Sequence, residues 1–251
     1  MMNIETSALL RWVLVETSHP GNVGSAARAL KTMGFSDLRL INPKIKGVTS
    51  HPEAIALASG AADVLEGSIE SDSLARSVEG CSLVLGLTSR DREFGPPAID
   101  WDAAKSLIGA SVQSGGKVAL LFGPERTGLD NEHLALCTHR VWLDANPDYP
   151  SLNLAQALMV CAFTLRETLT QHGGKRNTLA NREEMADFAD PAAVAAMLEH
   201  WREGLEAIGY LDPANPKKLM PRIQALFARS RLHKEEIDLL RGIAKQMLLR
   251  K

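Results

Sequence analysis

The sequence predicts an α/β fold: a mostly parallel sheet with helices on both faces, followed by a small all-helical extension. Three observations predict it. Short apolar runs alternate with helix-spaced segments from residue 10 to about 145, the pattern of βαβ crossovers. From Ser151 onward the alternation stops, and apolar residues recur only at helical spacing. Apolar residues fill 45% and charged residues 23% of the 251 positions, which supplies a core and excludes wholesale disorder.

The elements follow in order. Residues 10–16 (LRWVLVE), 38–42 (LRLIN), 82–88 (SLVLGLT), 117–123 (KVALLFG) and 139–145 (HRVWLDA) read as buried strands. Between them, 22–34, 51–65, 71–80 and 100–116 have helix-like spacing with Gly at their ends. Residues 151–171 read as one long helix, with Leu152, Ala155, Leu158, Met159, Ala162 and Leu165 on one face. Pro150 pre-sets the turn before it, Ser151 is a suitable N-cap, and Asn153 falls in the first turn. The polar, aperiodic stretch 172–190 reads as a linker. After Pro191 come three helical patterns, about 191–209, 215–230 and 234–250, too few residues for a large core of their own. The expected division is therefore 1–171, 172–190 and 191–251.

Charge is unevenly spread. Residues 217–251 hold ten Lys and Arg against three acids, a local charge of +7, whereas the other 216 residues carry −9. That asymmetry fits a C-terminal part that meets a polyanion, and fits equally a solvated helical surface. Cys81, Cys137 and Cys161 lie far apart in apolar surroundings, with no zinc-ligand spacing. They read as buried free thiols, so a reducing compartment such as the cytoplasm is expected. The N-terminal stretch lacks a basic region followed by a long apolar core, so no signal peptide is expected. No apolar run approaches the length of a membrane span.

In open α/β sheets ligands bind at loops beyond the carboxyl ends of strands. Three such regions carry unusual polar residues. After the first strand, Asn22, Ser25 and Arg28 form a polar strip three residues apart, while Val23, Ala26, Ala27 and Leu30 face the core. After the fourth strand, Gly123-Pro124-Glu125-Arg126-Thr127-Gly128 has the glycine spacing of a phosphate loop. Leu129 and Asp130 follow where a triphosphate site needs Lys and Ser or Thr, so triphosphate binding is not expected. Nor is there a G-x-G-x-x-G dinucleotide fingerprint. The third region is Pro150-Ser151-Leu152-Asn153. Taken singly, each fits an ordinary surface: a solvated Arg28, a Glu125–Arg126 ion pair, a plain helix start.

Taken together and in order, they are specific. Asn22-x-Gly24-x-x-x-Arg28, Phe122-Gly123-x-Glu125-x-x-Gly128 and Ser151-Leu152-Asn153 resemble the three motifs of the SPOUT superfamily, above all its ribose 2′-O-methyltransferases. The stretches LVETSHPGNVGSAARALKTMGF and GLTSR further resemble the TrmJ branch, the tRNA (cytidine/uridine-2′-O)-methyltransferases. The resemblance covers residues 10 to about 171 and continues more loosely through LFARSRLHKEEIDLLRGI. It implies a C-terminal trefoil knot, made by the segments FGPERTG and NPDYPSLNLAQ. It implies S-adenosylmethionine as methyl donor, held at Thr88, Ser89, Arg90, Gly123, Leu143, Pro150, Ser151 and Leu152, mainly by backbone groups, and no metal. It implies Arg28 as the catalytic arginine, Asn22 and Asn153 as positioning groups, and Glu125 as organiser of the loop and of Arg28. A homodimer is implied as well, and a tRNA substrate methylated at position 32 of the anticodon loop, gripped by the basic extension. Ribosomal RNA as the substrate, or a non-catalytic RNA-binding role on the same fold, remain open alternatives. Pro124 stands where many relatives carry Arg, with Arg126 close by.

Overall fold

Strand β1 (Leu10–Val15) runs through the middle of a sheet in which every pairing is parallel. Strands β2 (Asp37–Ile41), β3 (Ile69–Ser71), β4 (Cys81–Leu87), β5 (Ala98–Asp100), β6 (Lys117–Phe122) and β7 (His139–Trp142) complete it in the order β3-β2-β1-β6-β4-β7-β5. The computed structural model describes residues 4–90, 92, 95–172, 188–230 and 232–249. Most of the expected 172–190 linker lies outside them.

Period-2 alternation divides the core into two layers. Leu10, Trp12 and Leu14 of β1, with Val118, Leu120 and Phe122 of β6, face one side. Val13, Val15, Ala119 and Leu121 face the other. Cys81 shares a face with Val84, three residues on, because the register shifts between Cys81 and Leu83. The central strands are buried on both faces, which is why they read as unbroken apolar runs. The edge strands β3 and β5 were not expected from the sequence. Each has three residues, IES and AID, and neither is an apolar run.

The first layer is covered by α2 (Pro20–Met33), α6 (Trp101–Gln113) and α8 (Leu154–His172), which bury Val23, Leu30, Ile108, Leu158 and Leu165. A short α1 (Ile4–Ser7) precedes β1. The expected helix over 51–65 is two helices, α3 (Pro52–Ala58) and α4 (Ala62–Glu66). The break falls at Ser59-Gly60, where Ser59 has a φ of 53°. The second layer is closed by α5 (Leu74–Ser77) and α7 (Asn131–Ala135). All three cysteines are free and buried. Among the described residues no helix is long and apolar enough to cross a membrane.

The extension comprises α9 (Pro191–Ala207), α10 (Leu219–Ser230) and α11 (Lys234–Leu249). It has a small core of its own, in which Met197, Leu198, Leu232 and Ile237 are packed by Trp201 and Phe227. The Trp201 indole N–H donates to the Leu240 carbonyl at 2.9 Å, fixing α9 to α11. Helix α9 also packs back on α5 and β4.

Gly24 sets how closely α2 approaches α3. A Cβ there would lie 2.1 Å from the Ala54 carbonyl oxygen, a backbone atom that cannot swing away. Gly24→Ala is therefore expected to cost about 1–3 kcal/mol of unfolding free energy through overpacking. Urea denaturation of the two proteins measures it, and an unchanged midpoint would contradict the close approach.

Candidate active site

The β1–α2 loop is held by one carboxylate. Glu125 Oε1 accepts from the Thr17 hydroxyl at 2.9 Å and from the Asn22 side-chain amide at 2.9 Å. Oε2 accepts from the Ser18 hydroxyl at 2.9 Å and from its backbone N–H at 3.1 Å. The His19 backbone N–H points to Oε1 as well, at 3.3 Å. Burial by itself would raise the Glu125 pKa. The hydrogen bonds from Asn22, its own backbone N–H and Ser18 outweigh that, and hold it down from 4.5 to about 2. Glu125 is thus a fixed negative charge at neutral pH, and its surroundings are all donors.

That charge sets the polarity of a longer chain. A carboxylate only accepts, so Asn22 must offer it the amide NH2. The Asn22 carbonyl is then left to face Asn153, whose Nδ2 donates to it at 3.0 Å. Asn153 Oδ1 in turn accepts from the backbone N–H groups of Ala155 at 2.9 Å and Gln156 at 3.3 Å. One line of hydrogen bonds therefore joins the loop after β6, the start of α2 and the start of α8. It also corrects the helix start. Helix α8 begins at Leu154, and Asn153 rather than Ser151 is its cap. Ser151 and Leu152 stay outside the helix because Asn153, already held by Asn22, satisfies the first free N–H groups.

On one side of this line lies a cavity of about 150 Å3. Thr88, Ser89, Arg90, Gly123, Leu143, Pro150, Ser151 and Leu152, the eight expected donor-site positions, all line it, and so does Glu125. Among the described residues, the backbone N–H groups of Ser89, Gly123, Leu143 and Leu152 have no hydrogen-bond partner. Such a donor set suits a ligand held by main chain. Gly123 is required for the loop itself: a Cβ there would lie 2.2 Å from the Leu129 backbone nitrogen. The loop closes through the Gly128 N–H, which donates to the Pro124 carbonyl at 2.8 Å. The Arg90 guanidinium reaches the Arg126 carbonyl at 3.4 Å, so Arg126 contributes backbone here while its side chain is exposed.

On the other side is an open groove lined by Asn22, Ser25, Arg28, Asn153 and Gln156. The expected polar strip on α2 is thus gathered on one wall. Arg28 is exposed, and its guanidinium has no partner among the described residues. Among the described residues Glu125 makes no direct hydrogen bond or ion pair with Arg28; what it bonds is the β1–α2 loop and Asn22, on the helix that carries Arg28. Its carboxylate is spent on Thr17, Ser18, His19 and Asn22, and nothing bonds it to Arg126. Thr17 and Ser18 were missed in the sequence. The signal was there, the small polar pair Thr17-Ser18 just past β1, but two hydroxyls reveal no partner 107 or 108 positions away. Among the described residues no three His, Cys, Asp or Glu side chains are grouped as metal ligands. Burial pushes the Cys137 and Cys161 thiols up, which leaves both as inert core groups.

Residues 10–163 match the family model of the SpoU rRNA Methylase family, and residues 192–251 match that of the tRNA methyltransferase TrmJ C-terminal domain. The tRNA (cytidine/uridine/adenosine-2′-O-)-methyltransferase TrmJ of Pseudomonas aeruginosa is 39% identical over 238 residues, 93% of this chain and 91% of that protein. The chain belongs to the TrmJ group of the SpoU methylase family. Among solved structures, that of TrmJ from Z. mobilis has a TM-score of 0.79 at 29% identity, covering 94% of this chain and 98% of that one. A probable methyltransferase from Bordetella pertussis has a TM-score of 0.63 at 44% identity, and covers 66% of this chain and 99% of its own.

The Glu125 line has a pH signature. A carboxylate whose pKa is depressed on folding contributes stability that is complete above the unfolded value, 4.5, and is lost as pH falls through about 2. Glu125→Gln is expected to cost about 1–2 kcal/mol at pH 7, discounted because the group is half-exposed. Chemical denaturation of both proteins from pH 7 downward should show that difference shrinking between pH 4.5 and 2. A gap that widens with acid would contradict the assignment.

Proposed function

We propose that the protein transfers a methyl group from S-adenosylmethionine to a ribose 2′-hydroxyl of tRNA, at position 32 of the anticodon loop. The observation that carries this reading is the line Glu125–Asn22–Asn153, with a main-chain-lined cavity on one side and the Arg28 groove on the other. A methyl donor and an RNA ribose need two such compartments that meet. The name of the P. aeruginosa relative, with cytidine, uridine and adenosine as targets, supports the reaction class. The trefoil knot belongs to this reading; the two segments that would form it, 123–128 and 150–154, both contribute to the walls of that cavity.

The chemistry asks little of acid–base groups. When bound, S-adenosylmethionine supplies a methyl already activated by its sulfonium. The protein must place the hydroxyl in line with it and favour the oxygen as it loses its proton to water or to an RNA phosphate. A guanidinium is donor-only, a poor base and a good anchor for a developing alkoxide or an adjacent phosphate, and Arg28 supplies one. It lies six residues beyond Asn22 on α2, so the Glu125 line fixes the helix that carries it. Asn153 holds α8 and the cavity lip in the same frame.

A homodimer in the cytoplasm completes the reading. Helix α8 presents Met159, Val160 and Phe163 to solvent, with Phe163 57% exposed. Apolar side chains in such a row suit a second copy. The extension is the part that meets tRNA. Among the described residues, Lys217, Arg222, Arg229, Lys234, Arg241 and Lys245 form no ion pair, whereas Arg202 is held by Glu199 and Glu206. Unpaired cations are the ones available to phosphates.

Methyl transfer from labelled S-adenosylmethionine to bulk tRNA and to ribosomal RNA, with nuclease mapping, tests the reading. Label is expected in the ribose at position 32 of tRNA. Arg28→Ala and Arg28→Lys are each expected to lose about 100-fold or more in turnover, with RNA affinity largely kept. Near-normal turnover in Arg28→Lys would remove the guanidinium from the mechanism, and label in ribosomal RNA alone would move the substrate. Deleting 185–251 is expected to weaken tRNA binding more than S-adenosylmethionine binding. Equal loss of both would contradict the division of labour.

A further inference from the structure

The loop between α9 and α10 is built to hold one aromatic ring in solvent. The backbone N–H groups of Tyr210 and Leu211 both donate to the Leu205 carbonyl, at 2.9 and 3.1 Å, which folds the chain back over the last turn of α9. Leu211 is buried at 4% exposure and anchors the turn. The Asp212 carboxylate accepts the Ala214 N–H at 2.9 Å, and the Asn215 N–H donates to the Asp212 carbonyl at 3.0 Å. Pro213 and Pro216 fix two more backbone angles. On this stiff loop Tyr210 is 69% exposed.

Cations share a cavity with that ring. Tyr210, Lys217, Lys218 and Arg222 line a common cavity of about 510 Å3, in which Asp212 is the one acid. Asp212 is already engaged in its own turn. Lys217 is held at a φ of 50°, a region that long side chains seldom occupy. Lys217 and Arg222 make no ion pair or side-chain hydrogen bond among the described residues. None of these residues lines the donor cavity or the Arg28 groove.

A rigid, exposed aromatic flanked by cations is the chemistry that takes an unstacked nucleobase with its neighbouring phosphates. We propose that Tyr210, Lys217 and Arg222 form a cradle for an unpaired base of the tRNA substrate, with Tyr210 stacking on the base and the two cations taking flanking phosphates. The proposal rests on the tRNA reading above. An acidic protein surface would use the cations but has no need of a fixed ring beside them.

The test uses full-length protein, unmodified tRNA, and equilibrium binding beside methyl transfer. Tyr210→Ala is expected to weaken tRNA binding and raise KM about tenfold or more, with kcat and S-adenosylmethionine affinity near wild type. Tyr210→Phe is expected to restore binding, because the ring and not the hydroxyl makes the stack. Lys217→Ala and Arg222→Ala should each lower the slope of log affinity against log salt by about 1. Thermal melting of every variant confirms that the exposed substitutions leave the fold intact. Wild-type tRNA affinity in Tyr210→Ala would overturn the cradle while leaving the tRNA reading standing. Equal weakening in Tyr210→Phe and Tyr210→Ala would also overturn it. A wild-type protein that neither binds nor methylates tRNA would overturn both.

Discussion

The Glu125 carboxylate is the constraint on which the rest of the site depends. It collects two hydroxyls, a side-chain amide and backbone N–H groups from a loop more than a hundred residues away in sequence. Its charge fixes which way Asn22 points. Asn22 then fixes Asn153, and Asn153 fixes the first turn of α8. A neutral side chain at 125 would leave each amide free to turn over. The order of the site therefore rests on one ionised group, held in that state by its donors against the cost of burial.

This arrangement gives each compartment its character. The cavity beside Gly123 is walled by loop backbone with open N–H groups, which suits a ligand held by main chain rather than by the side chains of Ser89, Leu143 and Leu152. The groove opposite carries the one unpartnered guanidinium on its α2 wall, Arg28. In the proposed reaction the two substrates meet across the amide line, and the protein's work is placement and charge rather than proton shuttling. In the same proposal the extension adds affinity, through cations that nothing else in the described chain neutralises.

Much of this was legible in the sequence, and the reasons differ from element to element. The central strands are buried on both faces, so their apolar runs stood out, while the three-residue edge strands had no such signature. The break at Ser59-Gly60 was written in the chain but masked by the apolar residues around it. The three polar motifs announced themselves by order and spacing. Their connection did not. Nothing in the linear pattern said that Glu125 would bind Thr17 and Ser18 and leave Arg28 alone, because hydrogen-bond partners are chosen by the folded backbone. Ser151 and Asn153 are both acceptable caps by propensity, and the bond that Asn153 donates to Asn22 decides between them.

The central claim is that Glu125 and Asn153, which share no bond, act as one unit through Asn22. A double-mutant cycle on methyl transfer tests it most directly, with Glu125→Gln, Asn153→Ala and the pair measured as kcat/KM. The account predicts that each single change lowers kcat/KM about tenfold or more, and that the double variant is little worse than the worse single one. Losses that simply multiply would contradict it, since independent groups would then be holding the two compartments separately.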